Sequence, residues 1–488
     1  MLRYALTWLI TLLLSLSVMV SALSPAWSQT NLDLSLPSLT SSNTQVINGE
    51  EVRLGRAWLR QFRAHAPAWE DPISEDYVNT LVARLLPHSE LSGIDTVVTL
   101  VASDRLNAFA VPGGVIGINA GLFAFAEQEA AMVSVLAHEL GHLSQRHYAR
   151  GKARAEQMRL PAMAAMLAGM LVAASGGGDV GIAAAVGSQA ALYQDQLAYS
   201  RRFEQEADRI GLQAMASAGY DPQATVDLFR TMQRQLTLQG GNPPEFLLTH
   251  PLTESRITDA QSRANQIQVT HPRAEDLAYH LVRARALLAI YDRDPSQAAT
   301  RLKRSNPPEA AQRYLAALID AEKKQTDSAL RQLDTLAQAH PDLAMLPASA
   351  VDVALKAGRV NDAIERARRQ LRLMPGYQPT QLMLGEALLQ TNPNDAYFIL
   401  NELADQRPED PQVFALLAEA AGRSEREAWG HLARAEHQQL TGHIDRAIQQ
   451  LDVAQEIAKR HNDLTASNRI KQRREAFIGY RETMEEFQ

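Results

Sequence analysis

The sequence predicts an α+β fold, mainly helical, in which a mixed N-terminal domain is followed by an all-α solenoid. Three observations predict it. Two short β-rich stretches, TVVTLVAS at 96–103 and VIGI at 115–118 behind a Pro-Gly-Gly turn, stand among long helical patterns. Pro307, Pro341, Pro375 and Pro408 recur at intervals of 34, 34 and 33 residues in a region otherwise helical in pattern. At 488 residues the chain exceeds one compact domain, so at least two cores are expected.

The first element, residues 1–28, has a positive start at Arg3, an apolar run from about Tyr4 to Leu23, and small residues at Ala26 and Ser28. It reads as a signal peptide cleaved before Gln29, which places the mature chain in the periplasm; the alternative is an uncleaved anchor. Residues 29–48 are polar and Ser/Thr-rich, as a linker or extended arm would be. The net charge of −7 leaves no basic excess to neutralise a phosphate backbone, so nucleic acid is not an expected partner. With no cysteine, disulfides and thiolate-held metals are excluded, and any metal must be held by His, Asp and Glu.

The mixed domain spans residues 49–270. Its VIGI strand precedes a helix rich in histidine, as an edge strand receiving a substrate backbone by β-addition would; an ordinary core strand reads equally well. Residues 159–192 form two Ala/Gly/Met-rich arms around Gly176-Gly177-Gly178, each short of a bilayer span. They read as a buried helical hairpin, or alternatively as a peripheral membrane contact.

Residues 275–488 carry the proline repeat. The period is that of tetratricopeptide repeats, in which paired helices stack into a solenoid with a concave groove. Ala329, Ala363 and Ala396 sit twelve residues before three of the prolines, where two helices must approach closely; Ala435, Gly442, Ala447, Leu451 and Ala454 look like a further, degenerate copy. The core of such repeats forms between neighbours, so the region is expected to be separable from the first domain.

The chemistry lies in VLAHELGHLSQRH, 135–147. His138 and His142 are four residues apart, about 40° around a helix, and can converge on one ion. With Glu139 they form H-E-x-x-H, in which two neutral imidazoles hold zinc and the glutamate takes a proton from the attacking water. The metzincin continuation would need Gly at 145 and His at 148, but the chain has Gln145 and Tyr148. His147, about 140° from the metal face of a continuous helix, reads as a packing or surface histidine. A third ligand is offered by RRFEQEADRIG: Glu204 can ligate, Asp208 on the same face can orient a ligand imidazole, and Glu206 points elsewhere.

AVPGGVIGINAGLF, VLAHELGHLSQRH, EQEADRIG and LLTHPLTESR occur in the order and approximate spacing of the gluzincin-type zinc peptidases that include the CAAX prenyl endoproteases and HtpX. With its exported repeat tail, the chain resembles the periplasmic members of that group that assist β-barrel assembly. The resemblance implies a zincin-type metallopeptidase domain with one Zn2+ on His138, His142 and Glu204, and Glu139 as base. It also implies a loop that brings His250 to the fourth metal position, and Arg256 as a cation for the oxyanion or for a neighbouring carboxylate. Its implied partners are misassembled envelope proteins and, through the repeat groove, the outer-membrane β-barrel assembly machinery. The alternative function is a repeat-based chaperone or scaffold with a latent metal site.

Overall fold

The computed structural model describes residues 49–91, 93–157, 200–238, 244–274 and 276–485. The expected signal segment, linker arm and 159–192 hairpin lie outside the described residues.

Helix α1 (Gly49–His65) is followed by α2 (Pro72–Leu85), where Pro72 fills the first helical turn and Ile73, Tyr77, Val78, Leu81, Val82 and Leu85 turn one stripe inward. Three strands follow: β1 (Val97–Val101), β2 (Ala108–Val111) and β3 (Val115–Asn119). The sheet order is β1-β3-β2, with β3 parallel to β1 and antiparallel to β2. Of the two readings of 115–118, edge strand or core strand, the structure gives the core strand. All five β3 residues are buried, and the edge lies one strand away, on β2. β2 escaped the sequence reading because AFAV is only four residues long and turns a single buried residue inward.

Beyond the sheet come α3 (Ala120–Phe125), α4 (Glu129–Ser144), α5 (147–157), α6 (200–217), α7 (Gln223–Leu238), α8 (Glu245–Thr249) and α9 (Glu254–Ala264). α4 is buried continuously from Met132 to Gly141, a mainly apolar core helix that carries the H-E-x-x-H residues.

Six consecutive helix pairs then follow among the described residues: α10 (Leu277–Ile290) with α11 (Pro295–Arg304), α12 (Glu309–Glu322) with α13 (Thr326–Ala339), and α14 (Met345–Lys356) with α15 (Val360–Leu373). The remaining pairs are α16 (Gln378–Leu389) with α17 (Pro393–Gln406), α18 (Pro411–Arg423) with α19 (Glu427–Leu440), and α20 (Ile444–Arg460) with α21 (Leu464–Glu485). Each phased proline stands just past the second helix of a pair, where the helix must stop. Ala329, Ala363 and Ala396 are fully buried on those second helices. No helix among the described residues is long and apolar enough to cross a membrane.

The repeats do not keep their core to themselves, contrary to the sequence expectation. One apolar cluster runs from Ile73 through α4 to Ala433. Its bridge is α10, buried continuously from Ala278 to Leu287. The Tyr279 hydroxyl donates to the Ala126 carbonyl, Arg283 donates to the Phe123 carbonyl at 3.0 Å, and Arg285 grips the Asp71 carboxylate at 2.6 and 2.9 Å. A helix buried on all sides gives its periodicity no preferred face, so the pattern could not name its partners. At the far end α1 packs on the last repeats. Arg60 hydrogen-bonds Gln439, Gln61 donates to the Met484 carbonyl at 2.9 Å, and Gly442, at φ 83°, lets the α19–α20 turn meet the Arg60 carbonyl.

Candidate metal centre

α4 and α6 cross closely because glycines face the contact. A Cβ on Gly141 would lie 2.9 Å from the Ala207 carbonyl oxygen, and one on Gly211 would lie 3.1 Å from the His138 nitrogen. The crossing brings Glu204 and Asp208 of α6 against the α4 histidines, while the turn after α8 delivers His250.

The donor atoms of His138, His142, Glu204 and His250 lie within 4.8 Å of one another. His138 Nε2 is 3.1 Å from His142 Nε2, 3.2 Å from His250 Nδ1 and 3.4 Å from Glu204 Oε2. Glu204 Oε1 is 3.4 Å from His142 Nε2, and its Oε2 is 3.2 Å from His250 Nδ1. Ligands about 2.0–2.1 Å from a tetrahedral ion stand roughly 3.3 Å apart, so these spacings fit one ion of that size. Buried lone pairs crowded on one point without such an ion would repel one another.

Glu139 lies beside the cluster. Its Oε1 is buried, has no hydrogen-bond partner among the described residues, and sits 3.4 Å from His250 Nε2. Burial pushes its carboxyl upward against the lowering pull of His250 and His138. A cavity of about 290 Å³ opens there, lined by Glu139 and His142 together with Phe109 and Ala110 of edge strand β2. For His138 the opposing effects are burial, which lowers its pKa, and the Asp208 and Glu204 carboxylates, which prevail and raise it to about 9. Burial and the neighbouring His138 hold His142 well below the ordinary imidazole range, hence neutral. Burial would raise Glu204, but its contacts with His138 and His250 outweigh it and keep the carboxylate ionised.

Asp208 Oδ1 stands 2.9 Å from His138 Nδ1. Arg256, buried, donates through Nε and Nη2 to Asp208, at 2.7 Å each. Its Nη1 reaches Glu204 at 3.0 Å and the Pro251 carbonyl at 2.9 Å. All its nitrogens are engaged with the protein, and it does not line the cavity beside Glu139.

Residues 72–264 match peptidase family M48, and residues 354–420 match a tetratricopeptide repeat family. The chain is 34% identical over 434 residues to the β-barrel assembly-enhancing protease of Escherichia coli (strain K12), an alignment covering 87% of this chain and 88% of that protein. This chain belongs to the β-barrel assembly-enhancing protease family. The Yersinia pestis member is 32% identical over 421 residues, covering 85% of this chain and 86% of its own. The mitochondrial metalloendopeptidase OMA1 of Arabidopsis thaliana is 32% identical over 210 residues, 43% of this chain and 39% of that one. As an M48 peptidase the chain is a metalloprotease, and the cluster on α4, α6 and the turn after α8 is where its described residues can hold a metal ion.

In this M48 peptidase, every site residue singled out in the sequence lies at or against the cluster. Two that the sequence set aside lie there as well. His147 is buried with its Nδ1 2.8 Å from His142 Nδ1, and its Nε2 is 2.9 Å from Glu206 Oε2. The continuous-helix assumption failed because Arg146 adopts φ 51°, which ends α4 and turns His147 back toward His142.

Proposed function

We propose that this chain is a zinc endopeptidase of the periplasm that degrades misassembled outer-membrane proteins and assists their assembly. The observation that carries the chemistry is the convergence of His138, His142 and Glu204 with the Glu139 carboxylate beside them, its Oε1 without a hydrogen-bond partner among the described residues. Two imidazoles and one carboxylate, with no thiol, make a catalytic zinc set that leaves a fourth position for reaction. When bound, zinc supplies a Lewis acid that polarises a peptide carbonyl. Glu139 takes the proton from the attacking water and returns it to the leaving amine; its raised carboxyl pKa suits a group that must carry that proton briefly. Asp208 and Arg256 hold His138 and Glu204 in place. The β-addition role expected of 115–118 passes to β2, whose Phe109 and Ala110 border the Glu139 cavity.

Export by a signal peptide, docking of clients through the repeats, and contact with the β-barrel assembly machinery belong to the same reading. It is supported by the likeness to β-barrel assembly-enhancing proteases along most of their length. Cleavage of an unfolded protein by wild type and by Glu139→Gln, with zinc measured in both, tests it. The variant should keep about one zinc per chain and lose roughly 10²–10⁴-fold in rate. A zinc-loaded Glu139→Gln enzyme as fast as wild type overturns the proposal. A wild-type chain that holds zinc, binds clients and never cleaves them supports the chaperone reading instead.

A further inference from the structure

We propose that His147 and Glu206 form a relay that fixes His142 in the tautomer able to ligate a metal; it rests on the ligand assignment above. Glu51, in the first turn of α1, takes two hydrogen bonds from Arg146, at 3.0 and 2.7 Å, and so secures the left-handed residue that aims His147. The His147 ring is stacked on Phe203, centroids 4.1 Å apart at 17°, with the Arg150 guanidinium on Phe203 as well. One ring nitrogen faces His142 Nδ1 at 2.8 Å and the other faces Glu206 Oε2 at 2.9 Å; the same oxygen accepts from Arg150 at 2.9 Å.

Proton counting gives this chain one direction. His142 turns Nε2 into the ligand cluster, so that nitrogen must offer a lone pair, and the single proton of the neutral ring belongs on Nδ1. Two Nδ1 atoms at 2.8 Å need one donor and one acceptor, so His147 accepts there. Its own proton then sits on Nε2 and is donated to the Glu206 carboxylate. Were His147 to donate at Nδ1 instead, the His142 proton would move to Nε2 and block ligation. The Asp208 carboxylate stands 2.9 Å from His138 Nδ1, the corresponding place on the other imidazole. One helix, α6, thus supplies a ligand at 204 and orienting carboxylates at 206 and 208.

The test is metal affinity of the full-length chain, stripped of metal and titrated with Zn2+ against a competing chelator. His147→Phe keeps the stacking and loses both nitrogens, and its zinc Kd should rise roughly 10–100-fold. His147→Asn, whose amide oxygen can stand where Nδ1 stood, should recover most of that loss, a rescue that a packing role would not show. Glu206→Ala, at a partly exposed carboxylate, removes the far end of the relay without disturbing the core and should weaken binding several-fold. Long-range 1H–15N spectra of the zinc form should place the proton of His142 on Nδ1 and that of His147 on Nε2. If His147→Phe and Glu206→Ala both bind zinc as wild type does while His142→Ala loses it, the relay is wrong and the ligand assignment stands. If His142→Ala itself binds as wild type does, both fall.

Discussion

His250 stands between the metal ligands and the base, its Nδ1 3.2 Å from Glu204 and its Nε2 3.4 Å from Glu139. As the proposed fourth metal ligand, an imidazole there would fill the position a substrate carbonyl needs and obstruct the carboxylate meant to move protons. Cleavage would then depend on the fraction of molecules in which the turn after α8 has withdrawn. His250→Ala should therefore cleave an unfolded substrate faster than wild type at equal zinc content. A variant that retains zinc and gains no rate would show that His250 does not restrain the enzyme. At this scale the sequence was legible wherever helical spacing alone decides geometry. His138 and His142 share a face on any helix, as do Glu204 and Asp208. His147 was illegible because its direction depends on one backbone angle at Arg146, and arginine is not a residue type that advertises a left-handed conformation.

Two helices carry His138, His142 and Glu204, and their separation is set by what they lack. Adding a methyl at Gly141 brings it to 2.9 Å from the Ala207 carbonyl oxygen and 3.0 Å from the Ala207 Cα, backbone atoms that cannot swing aside. Gly141→Ala should lower stability by about 1–3 kcal/mol and weaken zinc binding by parting Glu204 from the histidines. Unchanged melting and zinc affinity would contradict that account of the crossing. The helices were readable because their apolar runs are long. β2 was not, since it owes its place to hydrogen bonds with β3 over only four residues.

For the molecule as a whole, the proline phase was enough to announce the repeats, because each proline stops a helix at the same point of the first four helix pairs. What it could not announce was that α10 belongs equally to the peptidase. The Asp71–Arg285 pair lies at that junction, buried, with Asp352 also 3.2 Å from the guanidinium. Burial would raise the Asp71 pKa, but Arg285 outweighs it and holds the carboxyl below its ordinary range. Arg285→Met strands that charge and should cost about 3–5 kcal/mol, seen as a downward shift of a single melting transition shared by both halves. A folded-state pKa below the unfolded one contributes stability above the unfolded value and loses it as pH falls through the folded value. The melting gap between wild type and variant should accordingly be full at neutral pH and narrow only on acidification. Two separate transitions, with only the peptidase part affected, would mean that the common core does not act as one.

The seat of α1 on the final repeats bears on how the chain reaches this state. Gln61 and Met484, 423 positions apart, close a contact that no local interaction can nucleate. α1 has no complete binding face until α19 and α21 are in place. Assembly therefore cannot run simply from one end to the other. The repeats can zip between neighbours early, whereas α1 is fully seated only when its short-range packing on Pro112 and Gly113 is joined by a contact made across 423 positions. A chain whose last repeats are not yet in place thus holds α1 by one of its two faces only, so the peptidase and the end of the solenoid are completed by the same helix.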